Sequence, residues 1–206
     1  MQSVPTDRGI IYDRNGYVLA RNIPSYNVTI TPAYLPADAG AVQEVYRQLS
    51  ELINIPVSFG QTTDESVRLF KPCETDLGLT QIVYIQDTNA PFTPVRVKCN
   101  IDAAVAKVIA ERSKDLPGVQ IEIESVREYP TGSTTAQVVG FLGPIPAIEQ
   151  DYWESLGFVS NRDKVGYAGV ENSLNEILVG KNGRRVVEVD NDGKILRDLE
   201  PPVEPV

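Results

Sequence analysis

The chain has 206 residues, 42% of them hydrophobic, with 28 acidic against 19 basic side chains and a net charge of −9. That length suits one large domain or two small ones with a sizeable core, and the negative charge argues against a nucleic-acid backbone or an anionic lipid surface as the main partner. No histidine is present, which excludes serine–histidine and cysteine–histidine nucleophile pairs and histidine-containing zinc sites.

From the N-terminus, Ile10 to Tyr12 and Tyr17 to Leu19 are strand-forming runs on either side of Asn15-Gly16. That dipeptide tolerates the positive φ angles of a type I′ turn, so a β-hairpin is expected. Arg8, Asp13 and Arg14 crowd charge around the turn, and Gly9 leaves room beside the first arginine. Tyr26 to Thr31 alternates as a half-buried strand, entered through a bend at Pro24 and closed by Pro32 and Pro36. Asp38 is suited to cap a helix whose apolar positions Val42, Val45, Leu49, Leu52 and Ile53 recur at helical steps and which stops before Pro56.

Asp64 to Phe70 reads as a short helix, whereas Leu79 to Ile85 is apolar without a clear period. Val95 to Lys98 reads as a strand, and Asp102 caps a helix from Ala103 to about Lys114. Leu116-Pro117-Gly118 ends that helix, and Val119 to Tyr129 alternates as a strand with one buried face. Val138 to Leu142 fits a buried strand or the end of a helix begun near Thr134, and Pro146 stands in the first turn of a helix from Ala147 to Leu156 that Gly157 closes. Ala168 to Val179 reads as one amphipathic helix with Val170, Leu174, Ile177 and Leu178 inward and Gly180 in the left-handed position after it. Arg184 to Val189 and Lys194 to Leu199 form a second hairpin through Asn191-Asp192-Gly193, and Pro201 to Val206 continue as an extended linker.

Cys73 and Cys99 are too few for a four-thiolate metal site. They can close a loop of about 25 residues, for roughly 3 kcal/mol, or stay as two buried thiols. No apolar run approaches the roughly 18 residues of a membrane span, so the chain as given is expected to be soluble.

Motifs for small-ligand chemistry fail on spacing. Asp190-Asn191-Asp192-Gly193 opens like a calcium loop but lacks the glutamate at the twelfth position, and Gly180-Lys181 and Gly193-Lys194 lack the rest of a phosphate loop. Glu122 and Glu124 share one strand face, an arrangement that serves a glycosidase or, more commonly, meets water. Ser173-Leu174-Asn175 imitates the Ser-x-Asn element of penicillin-interacting enzymes inside a helical pattern, but no serine has a lysine three residues later and no Lys-Thr-Gly occurs. No metal or cofactor is expected.

The stretch Arg8-Gly9-x-Ile11-x-Asp13-Arg14-Asn15-Gly16-x-x-Leu19-Ala20 resembles the signature that opens the membrane-proximal, non-catalytic module of class B penicillin-binding proteins. Leu116-Pro117-Gly118-Val119 with Arg127, Tyr129-Pro130, Gly132 and Val139 to Gly143 is similar to the family's second motif, and Gly166, Gly169-Val170-Glu171, Leu174, Leu178, Gly180 and Gly183 to its third. Gln137 departs from the histidine that many members carry there. The resemblance implies an α+β pedestal or dimerisation fold of the elongation type, with hairpins and an inserted mixed head subdomain. Residues 1–31 and 116–200 would form the pedestal core, 32–115 the head, and 201–206 the linker to a transpeptidase domain of the same chain.

It implies further a membrane anchor ahead of the first residue, an extracytoplasmic location, and docking of a membrane glycan polymerase, morphogenesis proteins or a second copy. No activity is expected of the module itself; an extracytoplasmic adhesion domain and a carboxylate-based hydrolase are the other readings. Physically, the motifs lead to the expectation that Arg8, Asp13, Arg14, Arg127 and Glu171 converge in a partly buried polar network, because charge beside glycine allows close backbone approach.

Overall fold

The computed structural model describes residues 2–160, 162–190 and 195–206. The chain divides into two compact units, the first from residues 2–23, 125–190 and 195–206 and the second from residues 24–124. It leaves the first unit between Ile23 and Pro24 and returns between Glu124 and Ser125.

In the first unit, β1 (Gln2–Val4) is followed by β2 (Ile11–Tyr12) and by β3 (Val18–Ile30), which continues into the second unit. β2 pairs antiparallel with β3, Ile11 opposite Ala20 and Tyr12 opposite Val18, so one extra residue bulges on β3. The expected hairpin forms with a different turn. Gly16 has φ +85° while Asn15 stays at negative φ, and Gly16 N–H donates to the Asp13 carbonyl at 3.1 Å. This is a type I turn centred on Arg14 and Asn15, followed by a glycine bulge. The Asp13 carboxylate selects it by accepting from the N–H groups of Asn15 and Tyr17 at 2.7 and 2.9 Å. Pro24 sits within β3, between the stretch paired with β2, which ends at Ala20, and the stretch paired with residues 95–101, which starts at Tyr26, so its missing N–H costs those ladders nothing.

The second unit begins with a 3₁₀ turn at Pro32–Tyr34 and α1 (Ala39–Ile53). Asp38 caps α1 by accepting from Ala41 N–H at 2.8 Å, and Asn54 ends it in the left-handed region at φ 54°. α2 (Asp64–Arg68) starts from a reciprocal cap between Thr63 and Ser66. The apolar stretch of unclear period is a helix, α3 (Leu79–Asn89), with Leu79, Ile82 and Val83 buried at three- and four-residue steps. β4 (Val95–Ile101) pairs antiparallel with β3, α4 (Ala103–Glu111) starts at its Asp102 cap, and β5 (Val119–Glu128) also pairs with β3. Val28 and Ile30 from β3 and Val95 and Val97 from β4 form one layer of the core, against Leu49 of α1, Ile82 of α3 and Ile109 of α4. Cys73 and Cys99 are joined in a disulfide with their Cα atoms 5.6 Å apart.

Back in the first unit, the run from 138 is neither a single strand nor a single helix: α5 (Ala136–Val139) ends at Gly140, and β6 (Leu142–Pro144) follows. A 3₁₀ turn at Ala147–Glu149 leads into α6 (Gln150–Ser155), and β7 (Lys164–Gly166) pairs with β6. The single helix expected from Ala168 to Val179 is two, α7 (Gly169–Ser173) and α8 (Asn175–Leu178). Leu174 and Ile177, expected inward, are 46% and 78% exposed, while Leu178 is buried. The Glu171 carbonyl, which a continuous helix would offer to the Asn175 N–H, accepts instead from Arg8 Nη2 at 2.8 Å. A long-range contact therefore breaks the local pattern.

β8 (Gly183–Arg185) pairs with β1, and β9 (Val187–Val189) pairs with β10 (Ile195–Asp198). The turn expected at Asn191-Asp192-Gly193, with its calcium-like and Gly193-Lys194 readings, lies outside the described residues. The tail expected as a linker is extended but tied down: Val203 exchanges hydrogen bonds with Arg184, and Val206 exchanges them with Lys181. Two small cores hold this unit, one around Trp153, Phe158 and Val165 and one around Ile11, Ala20, Val139 and Leu178. Among the described residues no helix is long and apolar enough to cross a membrane.

Candidate functional site

Glu171 is the centre of the first unit's polar chemistry. α7 places it in its first turn, where the amide dipoles favour a negative charge, and its side chain is 0% exposed. Each carboxylate oxygen has its own arginine. Arg8 Nε donates to Oε2 at 2.5 Å and Arg127 Nε to Oε1 at 2.8 Å, with the two arginine side chains only 8% and 5% exposed. Tyr129 adds its hydroxyl to Oε1 at 3.4 Å.

Two asparagines complete the cluster. Asn175 Oδ1 accepts from Arg8 Nη2 at 2.9 Å and from the Gly166 N–H at 3.0 Å, and Asn22 Oδ1 accepts from Arg127 Nη1 at 3.1 Å. The cluster thus binds together the start of the chain, the end of β5 and α7, segments more than 40 residues apart in sequence.

Burial pulls the Arg8 guanidinium below its ordinary pKa, with the Glu171 hydrogen bond opposing it. The Tyr129 phenol moves up, first through burial and then through the Glu171 charge. Each Glu171 oxygen accepts from a guanidinium and the carboxylate is closed to solvent, so the cluster ties its three segments together.

The expected network is met in three members and departs in two. Arg8, Arg127 and Glu171 converge, but Asp13 spends its carboxylate on its own turn and Arg14 is exposed, because charge next to a hairpin turn says nothing of which way each side chain leaves it. Asn15 and Gly16 belong to that turn. Gly9 N–H donates to the Leu178 carbonyl at 2.8 Å, and Gly169 (φ +58°) and Gly180 (φ +64°) take backbone conformations that suit glycine. Gly132 (φ +53°) turns the chain after Tyr129, and Pro130 is exposed. Sequence reasoning missed Asn22 and Asn175, the latter inside the Ser173-Leu174-Asn175 triplet.

In the second unit, Glu122 and Glu124 do not simply meet water. Arg96 forks onto Glu122 at 2.6 and 2.9 Å and reaches Glu124 at 2.9 Å, while Asn27 Nδ2 donates to Glu124 at 3.0 Å. The Glu122 hydrogen bond accordingly raises the Arg96 pKa. Among the described residues no group of three or more histidine, cysteine, aspartate or glutamate side chains is placed to hold a metal ion.

The sequence profile described as the penicillin-binding protein dimerisation domain matches residues 3–206. The peptidoglycan D,D-transpeptidase MrdA of Acinetobacter baumannii is 31% identical over 204 residues, covering 97% of this chain and 26% of that protein. The chain therefore spans about a quarter of the length of the curated relatives it matches. A solved complex between penicillin-binding protein PBP2 and MreC from Helicobacter pylori aligns with a TM-score of 0.61 at 19% identity, covering 100% of this chain and 34% of that one. A structure described as the structural coordination of polymerization and crosslinking by a peptidoglycan synthase complex aligns at 0.57 and 22% identity, covering 99% of this chain and 28% of that one.

Proposed function

The chain belongs to the penicillin-binding protein dimerisation domain family, and from that premise we propose that it is the non-catalytic pedestal of an elongation-type peptidoglycan D,D-transpeptidase. In this reading it stands on the extracytoplasmic side of the cell membrane, positions the transpeptidase domain of the same polypeptide and docks other cell-wall synthesis proteins. The first unit is the pedestal core and the second the inserted head.

The observation that carries the reading is the Arg8–Glu171–Arg127 cluster, which fastens remote stretches of chain to one another, as a pedestal requires. The relatives' names support the parent's activity, and the PBP2–MreC complex and the synthase complex support docking of a morphogenesis protein and a glycan polymerase. Ile148 and Ile177 of the first unit are 93% and 78% accessible and offer apolar surface for such a partner.

A fluorescent penicillin should leave this chain unlabelled, since it has no Ser-x-x-Lys nucleophile. Immobilised chain should capture an MreC-type protein or a membrane glycan polymerase of its own organism, and Ile148→Asp with Ile177→Asp should weaken that capture at unchanged thermal stability. Acylation by penicillin, or failure to capture either partner, overturns the reading.

A further inference from the structure

The sequence holds two Asn-Gly steps, Asn15-Gly16 and Asn182-Gly183. Such steps react with themselves. Glycine leaves its amide nitrogen unshielded, and that nitrogen, once it has lost its proton, attacks the asparagine Cγ. The Cγ–Nδ2 bond breaks, ammonia leaves with the proton, and water opens the resulting cyclic imide at either carbonyl to aspartate or isoaspartate. The net change is amide plus water to acid plus ammonia, so no oxidant or co-reactant is required.

Each step is met by an aspartate. Asn182 is firmly held: its Nδ2 donates to Asp163 Oδ2 at 2.7 Å and to the Gly157 carbonyl at 3.2 Å, and its Oδ1 accepts from the Thr6 N–H at 3.0 Å. Asn15 is exposed, and its Nδ2 has one longer bond, to Asp13 Oδ2 at 3.3 Å. Nothing packs where a side chain on Gly16 would lie, so water reaches the step. What restrains it is Asp13. Its Oδ1 fixes the turn through the N–H groups of Asn15 and Tyr17, and its carbonyl accepts from the Gly16 N–H, the nitrogen that would attack, at 3.1 Å. The nearby negative charge further opposes loss of that proton.

We propose that Asn15 is a latent site of spontaneous conversion to aspartate or isoaspartate, and that the Asp13 carboxylate holds it back as Asp163 holds back Asn182. Isoaspartate would lengthen the main chain inside the turn. The ladder closed by that turn sets Ile11 opposite Ala20, and both belong to the small core shared with Val139 and Leu178, so the modification would loosen the first unit from its hairpin.

The test incubates the folded chain in mildly alkaline buffer and follows the peptides carrying residues 15 and 182 by mass spectrometry, with the aspartyl and isoaspartyl forms separated. Asn15 is expected to convert roughly tenfold faster in Asp13→Ala than in the unaltered chain, while Asn182 keeps its rate. Asp163→Ala should do the reverse, and Arg14→Ala, an exposed neighbour of the first step, should change neither. Should Asp13→Ala not fold, Asp13→Asn, which loses the charge and keeps an acceptor, is read in its place, with a rise of about threefold expected. An Asn15 rate that the Asp13 variant leaves unchanged, or that Arg14→Ala raises as much, overturns the proposal.

Discussion

Each oxygen of Glu171 is held by a different arginine, with the carboxylate out of contact with water. Removing it therefore strands two buried positive charges. Glu171→Ala is expected to lower stability by about 3 to 5 kcal/mol, read from denaturant unfolding, whereas breaking an exposed pair such as Arg47–Glu51 should leave the midpoint nearly unchanged. Arg8, Arg127 and Glu171 were legible because each stands in one of three stretches that resemble the family's motifs. Asn22 and Asn175 were not, since an amide that accepts from a distant guanidinium leaves no mark in its own neighbourhood. A second single-residue effect is set by pH. Tyr46 on α1 is 4% exposed, and burial, followed by the Asp87 charge, pushes its phenol up to about 12. Because the folded pKa lies above the unfolded one, the stabilisation is complete below pH ~10 and is lost as pH rises toward 12, by on the order of 2 kcal/mol. Spectrophotometric titration should show a late tyrosine that Tyr46→Phe removes, together with that part of the alkaline destabilisation.

At the scale of elements, glycines decide how closely turns and strands approach, and two of them separate conformational from steric cause. Gly16 has φ +85° with open space where a methyl would go, so Gly16→Ala is expected to cost about 1 kcal/mol through backbone strain alone. A methyl on Gly166 would overlap the Glu171 carbonyl, so Gly166→Ala must push α7 away from β7 and is expected to cost about 3 kcal/mol or more. Thermal unfolding of the two variants, compared directly, checks both values. α1 and α4 were legible in the sequence because an aspartate cap and apolar residues at helical steps act locally. The break between α7 and α8 was not, because Arg8, remote in sequence, takes the carbonyl that would have continued the helix. The hairpin turn was half legible: its site followed from Asn15-Gly16, but its type follows from the Asp13 carboxylate, whose reach to two N–H groups is a three-dimensional fact.

Across the whole molecule, the two units are held by different kinds of fastening, and that difference can be read out. The first unit has small apolar cores of a few residues each and relies on the buried arginine–glutamate cluster and on pairing of its tail with β8. The second has the larger apolar core and a disulfide that closes 26 residues of chain, including α3, onto β4. Reduction should therefore act on the second unit. In the chain-entropy view, opening a loop of that length costs about 3 kcal/mol, most of it by freeing the unfolded chain. Hydrogen exchange with and without reductant should show protection falling in α1, α3 and β4, while amides of β8 and α7 keep theirs. Glu171→Ala should give the opposite map, with protection lost in β8 and α7 and kept in α3. If either perturbation loosened both sets of amides equally, the chain would unfold as one cooperative body, and the division into two separately fastened units would have no energetic meaning.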